Sequence, residues 1–505
     1  MKNNWPVLAG LISISMWLPA TAAPPQPRPI ALAECISLAL SNNLDLRVER
    51  YVPQLALYEL RAAQAGYEPM LELSGQHGHD ESGSRILSGG FSIPGSQSDS
   101  DSFSSGLGGL LPWGMRYDLS ASASDRYGKS FFLDINTNLV ADPFENAQST
   151  ASIGLTQPLL KNFWIDGTRL NIAVAKNRLK HSELGLRQRI IEVVTSVELA
   201  YYDLIFARET VKVQEKAVEL AARLAQENKR RVEVGALAPL DEKQAEAQAA
   251  ASRADLLQAQ RGLAASENAL KRKLTSEFAD WSATELQPAE ELTAPLHVFD
   301  LQNSWSRGLS QRPDLLQARL DLERQGIRLK YDRNQLFPQL DVFGTYGYNG
   351  SGNEFANSLN EVGDRERPFY FFGGRFSIPL GNGAARNTYR GSKAAHEQGL
   401  LMLKRLEQDI LVQIDDAIKL AKASYERIKA TGEARQYAEA ALQAEQKKLE
   451  SGKSTSFEVL RLQRDLTTAR SDEISALTQY NRNLAQLSHF EASTLDRLGI
   501  SLESK

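Results

Sequence analysis

The chain is poor in cysteine and histidine, and it has no large excess of either charge. Its single cysteine excludes an intrachain disulfide and any metal site built from several thiolates. The six histidines are scattered, and no nucleophile stands in a pattern with a base, so the sequence predicts neither an enzyme nor a metal or cofactor site. A net charge of −4 lacks the basic footprint of nucleic-acid-binding proteins, and we expect no nucleic-acid partner.

Long hydrophobic runs are also missing, apart from one near the start of the chain. Residues 1–22 combine Lys2, an apolar run at Val7–Leu18 and small residues after it, which is the pattern of a cleaved signal peptide. The run is shorter than the roughly 20 residues of a membrane span, which disfavours an uncleaved anchor. Cys35 follows Glu34, which is too large for a lipoprotein cleavage site. We expect an exported protein that is either soluble outside the cytoplasm or held in a membrane by β-strands.

The remaining sequence consists of two similar halves. The number of residues between a segment and its match in the other half is constant in the first part of each half and smaller further along. This change indicates a duplication with an insertion in the first copy. The matched segments are Ser41–Leu46 with Ser310–Leu315, Tyr67–Leu71 with Leu336–Leu340, and Arg231–Gly235 with Lys448–Gly452. We therefore divide the mature chain into a first repeat at 23–299 and a second repeat at 300–505.

Each half contains a very long segment that has no proline and has apolar residues at helical spacing. The predicted elements are long helices at 168–234 and 384–451, tips at Gly235 and Gly452, and returning helices at 239–278 and 456–498. At ~1.5 Å per residue, each long helix would measure roughly 100 Å. Alternating charges beside alanine-rich seams favour coiled-coil packing of these helices.

Strands are predicted before each long helix, where side chains alternate between two faces and aromatic residues are frequent. The predicted strands are about 69–80 and 150–158 in the first repeat, and about 338–349 and 369–379 in the second. This alternation is typical of transmembrane strands, although a half-buried soluble sheet would share it. Residues 80–109 are rich in Ser, Gly and Asp and predict a loop. Segment 102–127, in the first-repeat insertion, is a candidate for an extra hairpin.

Several of these features recur in the same order in both halves. They are the openings Leu40–Leu46 and Leu309–Leu315, the strand starts Pro69 and Pro338, the strand exits Gln157–Leu159 and Ile378–Leu380, and the two glycine tips. In this order the chain resembles the TolC-type outer-membrane efflux proteins over nearly its whole mature length. The resemblance implies a mixed α+β membrane protein that forms a homotrimer, with long coiled-coil helices in a periplasmic α-barrel. Each chain would add four strands to an outer-membrane β-barrel of twelve, or six strands to a barrel of eighteen if 102–127 joins the wall.

The resemblance also implies a function. The trimer would be the passive exit duct of a tripartite efflux or type I secretion system, placed in the cell outer membrane with a long periplasmic extension. Its partners would be a periplasmic adaptor, an inner-membrane transporter and outer-membrane lipid. The residues leave one alternative open, a soluble periplasmic coiled-coil protein that is adaptor-like or structural.

The two tips are the sites that the resemblance implies. Adaptor docking would fall on Arg231, Val234, Gly235, Ala236, Lys448, Ser451, Gly452 and Lys453. The periplasmic gate would involve Glu458, with Asp241 at the matching position of the first repeat and Arg461 where a second acidic residue is expected. A pair between Glu458 and Arg461 would hold the gate shut. The alternative reading is a solvated ion pair worth a few tenths of a kcal/mol.

Two weaker motifs predict no site. Gly452-Lys453-Ser454 resembles the end of a phosphate-binding loop, but Lys447 replaces the required glycine and the context is helix–turn–helix. His77 and His79 share a predicted strand face, yet no third metal ligand accompanies them.

Overall fold

The computed structural model describes residues 27–87, 90, 92–134 and 138–501. The predicted signal peptide at 1–22 lies outside the described residues. The described chain forms two compact units, and each unit takes segments from both sequence repeats. The segments of the first unit are 27–44, Val193–His297 and Leu420–Gln486, and those of the second are Asp45–Glu192, Val298–Lys419 and 487–501.

Helices make up most of the regular structure. Their bounds are α1 Leu32–Asn42, α2 Leu44–Glu49, α3 Tyr51–Gln64, α4 Gly167–Glu233, α5 Pro239–Leu274, α6 Phe278–Trp281, α7 Leu301–Gln311, α8 Pro313–Asn334, α9 Phe355–Asp364, α10 Gly383–Glu450, α11 Ser456–Phe490 and α12 Thr494–Arg497. In the part of the chain that the structure describes, no helix has both the length and the apolar character needed to cross a membrane.

The two longest helices, α4 and α10, contain 67 and 68 residues. The returning helix α5 begins at Pro239, where the missing N–H costs no hydrogen bond because the first N–H groups of a helix have no partner within it. It ends at Leu274, before the predicted 278, because Thr275 is extended (φ −125°, ψ 151°). The other returning helix, α11, ends at Phe490 and is followed by the short α12, whereas the sequence pattern extends to 498.

In the first unit, a core near the tips joins α4 to α10 and α11. Its members are Leu224, Leu442, Leu449, Val459, Leu460 and Leu466, all at most 6% exposed. Burial of such a side chain contributes ~1.5–3 kcal/mol, so this cluster fixes the end of α4 against the second helical hairpin.

The strands are β1 Pro27–Ile30, β2 Met70–Glu81, β3 Arg85–Ile86, β4 Ser92–Ile93, β5 Gln97–Leu110, β6 Arg116–Leu133, β7 Leu139–Pro158, β8 Glu285–Pro288, β9 Gln339–Gly352 and β10 Pro368–Ser377. In the first unit, β1 pairs with β8 in parallel. In the second unit, β3 pairs with β4, and six strands form one sheet in the order β10-β9-β7-β6-β5-β2, in which all neighbours are antiparallel.

The segment proposed as an extra hairpin, 102–127, lies in β5 and β6, which are inserted between β2 and β7 of the main sheet. The described chain therefore has six strands in this sheet. The loop prediction for 80–109 is wrong from Gln97 onward, where β5 runs. Its small polar residues resemble a loop in composition, but they alternate with Phe103 and Leu107 and pair with strands on both sides.

The helical part of the second unit packs around the middle of α10. Its core residues are Leu315, Ile410, Ile414, Ala417, Ile418 and Leu487. Gly308 of α7 allows the close approach, since a Cβ there would lie 2.5 Å from Cδ1 of Ile414.

Candidate functional site: the helix tips and the two-faced sheet

Both helical hairpins of the first unit reverse direction through the same turn. Gly235 and Gly452 have φ of 74° and 72°, in the left-handed region that glycine enters without a Cβ penalty. One residue later, the amide of Ala236 donates to the carbonyl of Arg231 (2.7 Å), and Lys453 donates to Lys448 (2.8 Å). These bonds satisfy the last carbonyls of α4 and α10, so the tips are well-formed helix caps.

The predicted docking residues are largely exposed at these turns. Val234 at the first tip is 78% exposed, and Phe457 just after the second tip is 52% exposed. Gly452 and Lys453 are exposed as well. Each tip therefore presents one exposed apolar side chain beside polar ones.

The second tip has an internal brace that the sequence did not indicate. The carboxylate of Glu445 accepts hydrogen bonds from Lys448 Nζ (2.9 Å) and from the Ser454 hydroxyl (2.5 Å), which lie on opposite sides of the turn. The Lys448 ammonium and the Ser454 hydroxyl hold the pKa of Glu445 below its usual range. Lys448 is thus engaged within its own tip.

The candidate gate residues Glu458 and Arg461 lie together on α11. Their side chains form an ion pair (Oε2–Nη2, 2.8 Å) one helical turn apart, and they are 40% and 55% exposed. Asp241, the third candidate, takes part in another contact through its backbone carbonyl, which accepts a hydrogen bond from the Asn228 amide (3.2 Å).

Asn228 links the two hairpins and was not singled out by the sequence. It lies on α4 and is 1% exposed, as is Ser456 at the start of α11. The Ser456 hydroxyl donates to Asn228 Oδ1 (3.0 Å), while Asn228 Nδ2 donates to the Asp241 carbonyl on α5. We call these three residues the clasp. One sequence feature could have revealed Asn228: it is an asparagine on the apolar stripe of α4, one turn after buried Leu224.

One face of the six-stranded sheet in the second unit is apolar near the strand ends at Met70 and Pro158, whereas farther along it carries the His77–Asp101 and His79–Asp99 pairs and is covered by α9; the opposite face is mostly polar. A row of directly paired residues crosses all six strands on the apolar face: Leu71, Leu107, Leu119, Ile153, Tyr346 and Tyr370. All six are exposed large hydrophobic side chains in the isolated chain. A sheet that presents such a row to its surroundings is typical of a lipid-facing surface.

The polar face carries mostly short hydroxyl and amide side chains on its inner strands. One row is Glu72, Gly106, Ser120, Ser152, Gly347 and Phe369, and the next row on this face is Ser74, Ser104, Ser122, Thr150 and Asn349. Several members hydrogen-bond across strands: Ser74 with Ser104 (2.7 Å), Ser120 with Ser152 (3.0 Å), and Thr150 with Asn349 (3.0 Å). This face suits contact with water.

The sheet has two unpaired edges within the described chain, β2 and β10. Leu73 on β2 is 71% exposed and Phe372 on β10 is 82% exposed. Open strand edges with apolar side chains are templates for pairing with another chain.

Known proteins match this combination of tips and sheet. The family model described as "Outer membrane efflux protein" matches residues 117–275 and 305–490. The chain belongs to the outer membrane efflux protein family. This efflux protein is 25% identical over 347 residues to the cobalt-zinc-cadmium resistance protein CzcC of Cupriavidus metallidurans, covering 65% of this chain and 72% of CzcC. It is also 25% identical over 363 residues to the outer membrane protein TolC of Vibrio cholerae, covering 68% and 78%.

The fold comparison agrees with the family. The solved structure of the outer-membrane channel OprN superposes with a TM-score of 0.68 at 16% identity, covering 92% of this efflux protein and 90% of OprN. The protein is therefore an outer-membrane efflux channel with a periplasmic extension, as the resemblance implied. The soluble adaptor-like alternative is not favoured. Members of the family are channels, not enzymes.

The two strand histidines of this efflux protein are each engaged by a carboxylate. His77 Nδ1 lies 2.8 Å from Asp101, and His79 Nδ1 lies 2.6 Å from Asp99, both across the β2–β5 pair. Among the described residues, no group of three or more potential ligands is placed to hold a metal ion.

Proposed function

We propose that three copies of this chain form the passive exit duct of a tripartite efflux or type I secretion system. A periplasmic adaptor and an inner-membrane transporter would engage the helix tips and open the duct. The observation that carries the proposal is the six-stranded sheet with an exposed apolar face and two open edges.

Closure of the wall requires more than one chain. Open edges do not survive in lipid, because their N–H and C=O groups have no water to bond with. Six antiparallel strands place β2 and β10 in opposite directions, so β10 of one copy can pair with β2 of the next and keep the pattern antiparallel. Cyclic association of three copies then gives a closed barrel of eighteen strands, with outer-membrane lipid around the apolar face.

The tips supply the docking surface in this proposal. Arg231, Val234, Gly235 and Ala236 form it at the first tip, and Lys448, Ser451, Gly452 and Lys453 form it at the second. Their support is the exposure of Val234 and of Phe457 beside them. Lys453 follows a helix rather than a strand, which fits a docking turn and not a phosphate-binding loop. Since this turn would then bind no nucleotide, the energy for transport would come from the transporter.

Two contacts hold the tips closed in this proposal, and they differ in strength. The Glu458–Arg461 pair is about half exposed, and an exposed pair at this spacing contributes about 0.3–0.5 kcal/mol. Asn228 and Ser456 of the clasp are buried, and leaving a buried hydrogen-bonding group unsatisfied costs ~1–3 kcal/mol. We infer that the clasp is the main restraint and that the ion pair adds to it.

Site-directed crosslinking tests the docking proposal. The native Cys35 gives little background, because burial, with Glu34 and Glu290 nearby, raises the pKa of its thiol to about 12. Lys453→Cys should crosslink to the adaptor in cells, whereas Lys429→Cys, an exposed position within α10, is the control and should not. Equal crosslinking at both positions would remove the tip from the docking surface.

The assembly itself is tested by purification. The mature protein should require detergent and elute as a trimer. A protein that stays monomeric and soluble without detergent would contradict the duct and restore the soluble alternative.

A further inference from the structure

The inserted hairpin β5–β6 is an integral part of the sheet. β5 pairs with β2 along all of Met70–Glu81, and β6 pairs with β7 along all of Arg116–Leu133. The hairpin therefore separates β2 from β7, two strands that would be neighbours without it. If the wall closes as proposed above, the insertion changes its circumference and not merely its surface.

The change in width follows from strand geometry. Strands lie ~4.8 Å apart and tilt by ~40° in a barrel, so each adds about 6.3 Å of circumference. Twelve strands then give a backbone-to-backbone diameter of about 24 Å, and eighteen give about 36 Å. Barrels of 16–18 strands leave an aqueous channel.

The side chains of the hairpin on the polar face are mostly short, so they occupy little of this width. On β5 this face carries Ser98, Ser100, Ser102, Ser104, Gly106 and Gly108, and on β6 it carries Ser120, Ser122 and Ser124. These are among the shortest side chains available. The longer polar-face side chains of β6, which are Arg116, Asp118, Arg126 and Phe132, stand on either side of Ser120, Ser122 and Ser124.

The hydroxyls of this wall also have partners within it. Ser104 bonds Ser74 on β2, and Ser120 bonds Ser152 on β7. Each such pair uses one O–H donor of the wall, so fewer donors remain for a passing solute. Conduction requires binding that is weak enough to release the solute, and a lining of uncharged hydroxyls is compatible with that requirement.

We propose that the hairpin β5–β6 widens the outer-membrane end of the duct and lines it with short hydroxyl groups, so that this end of the duct admits bulkier hydrated solutes than a wall of twelve strands would. This inference rests on the trimeric duct proposed above. It predicts the class of solute from its width.

Graded polyethylene-glycol maleimides, added outside intact cells, measure the width of the duct. The target is Thr156→Cys, on the polar face near the end of β7, just before the chain leaves the sheet at Pro158. The largest reagent that labels this cysteine in the full chain should have a radius at least about 1.5 times that of the largest reagent that labels it in a variant lacking residues 97–133, because the side chains narrow both walls by a similar amount. Equal limits in the two proteins would overturn the inference while leaving the duct itself in place.

A second pair of variants avoids relying on a deletion that fails to fold. Ser120→Trp places a large ring on the polar face and should lower the size limit, whereas Leu119→Trp, one residue earlier on the apolar face, should leave it unchanged. A limit that falls only with Leu119→Trp would reverse the assignment of the faces and overturn the inference. If even the smallest reagent fails to label Thr156→Cys in every variant that reaches the membrane, both the duct and this inference are overturned.

Discussion

Replacing Asn228 with alanine should shift the channel toward its open state. The substitution removes both hydrogen bonds of the clasp and leaves the Ser456 hydroxyl and the Asp241 carbonyl without this partner. Ser456 is the buried group that loses its partner, since Asp241 is only half-buried and its carbonyl lies in the first turn of α5, and a buried unsatisfied group costs ~1–3 kcal/mol. The expected shift is therefore about 1–3 kcal/mol per protomer, which corresponds to a roughly five- to 150-fold change in the equilibrium.

Single-channel recording in planar bilayers measures this change as the fraction of time that the channel is open. The matched control is Gln226→Ala, which makes the same kind of amide-to-alanine change two residues away at an exposed position of α4. The control should leave the open fraction unchanged. Arg461→Ala should raise it by less than about three-fold, because the Glu458–Arg461 pair is solvated.

Two results would contradict the proposed ranking of the clasp above the ion pair. If Asn228→Ala and Gln226→Ala have the same open fraction, the clasp does not restrain the tips. If Arg461→Ala opens the channel more than Asn228→Ala, the exposed ion pair is the main restraint, and the ranking by burial is wrong. Unchanged conductance in both Glu458→Ala and Arg461→Ala would remove this pair from the gate.

Three further substitutions test the packing and the titration behaviour. Gly452→Ala should destabilise the tip by ~1–2 kcal/mol through its positive φ alone, whereas Gly432→Ala, within α10, should be neutral or stabilising. Equal shifts in the melting temperature of the two variants would contradict this. Gly308→Ala should cost ~1–3 kcal/mol by crowding Ile414 and should be partly rescued by Ile414→Val; no rescue would place the strain elsewhere. Burial, with the charge of Arg312, lowers the pKa of His489, so its contribution to stability is present above pH 6.5 and is lost as the pH falls below that value. Between pH 7 and 5, the free energy of unfolding should fall less in His489→Gln than in the native chain, with a difference of at most about 1.4 kcal/mol per pH unit. An equal fall in both proteins would show that His489 does not cause this pH dependence.

The helices were predictable from the sequence because each depends on local signals. A proline-free run with apolar residues at helical spacing marks α4 and α10, and a glycine marks the turn after each. The ends of the returning helices were less predictable, since Thr275 becomes extended within a segment whose composition still favours a helix.

The inserted strands and the clasp depend on contacts between distant residues. β5 is mostly Ser, Gly and Asp, so its composition resembles a loop, and its strand character appears only through pairing with β2 and β6. Asn228 resembles any polar residue of a long helix until Ser456 is brought beside it from the other repeat. The Glu458–Arg461 pair, by contrast, is local, and its spacing alone predicted that the two side chains would meet.

A cryo-electron-microscopy structure of the mature protein in lipid nanodiscs would show whether each chain contributes six strands to one closed wall. We expect a threefold ring of eighteen strands in which β10 of each copy pairs with β2 of the next and the row from Leu71 to Tyr370 faces lipid. A ring of twelve strands with β5–β6 folded outside the wall, or a chain that forms no ring, would contradict it.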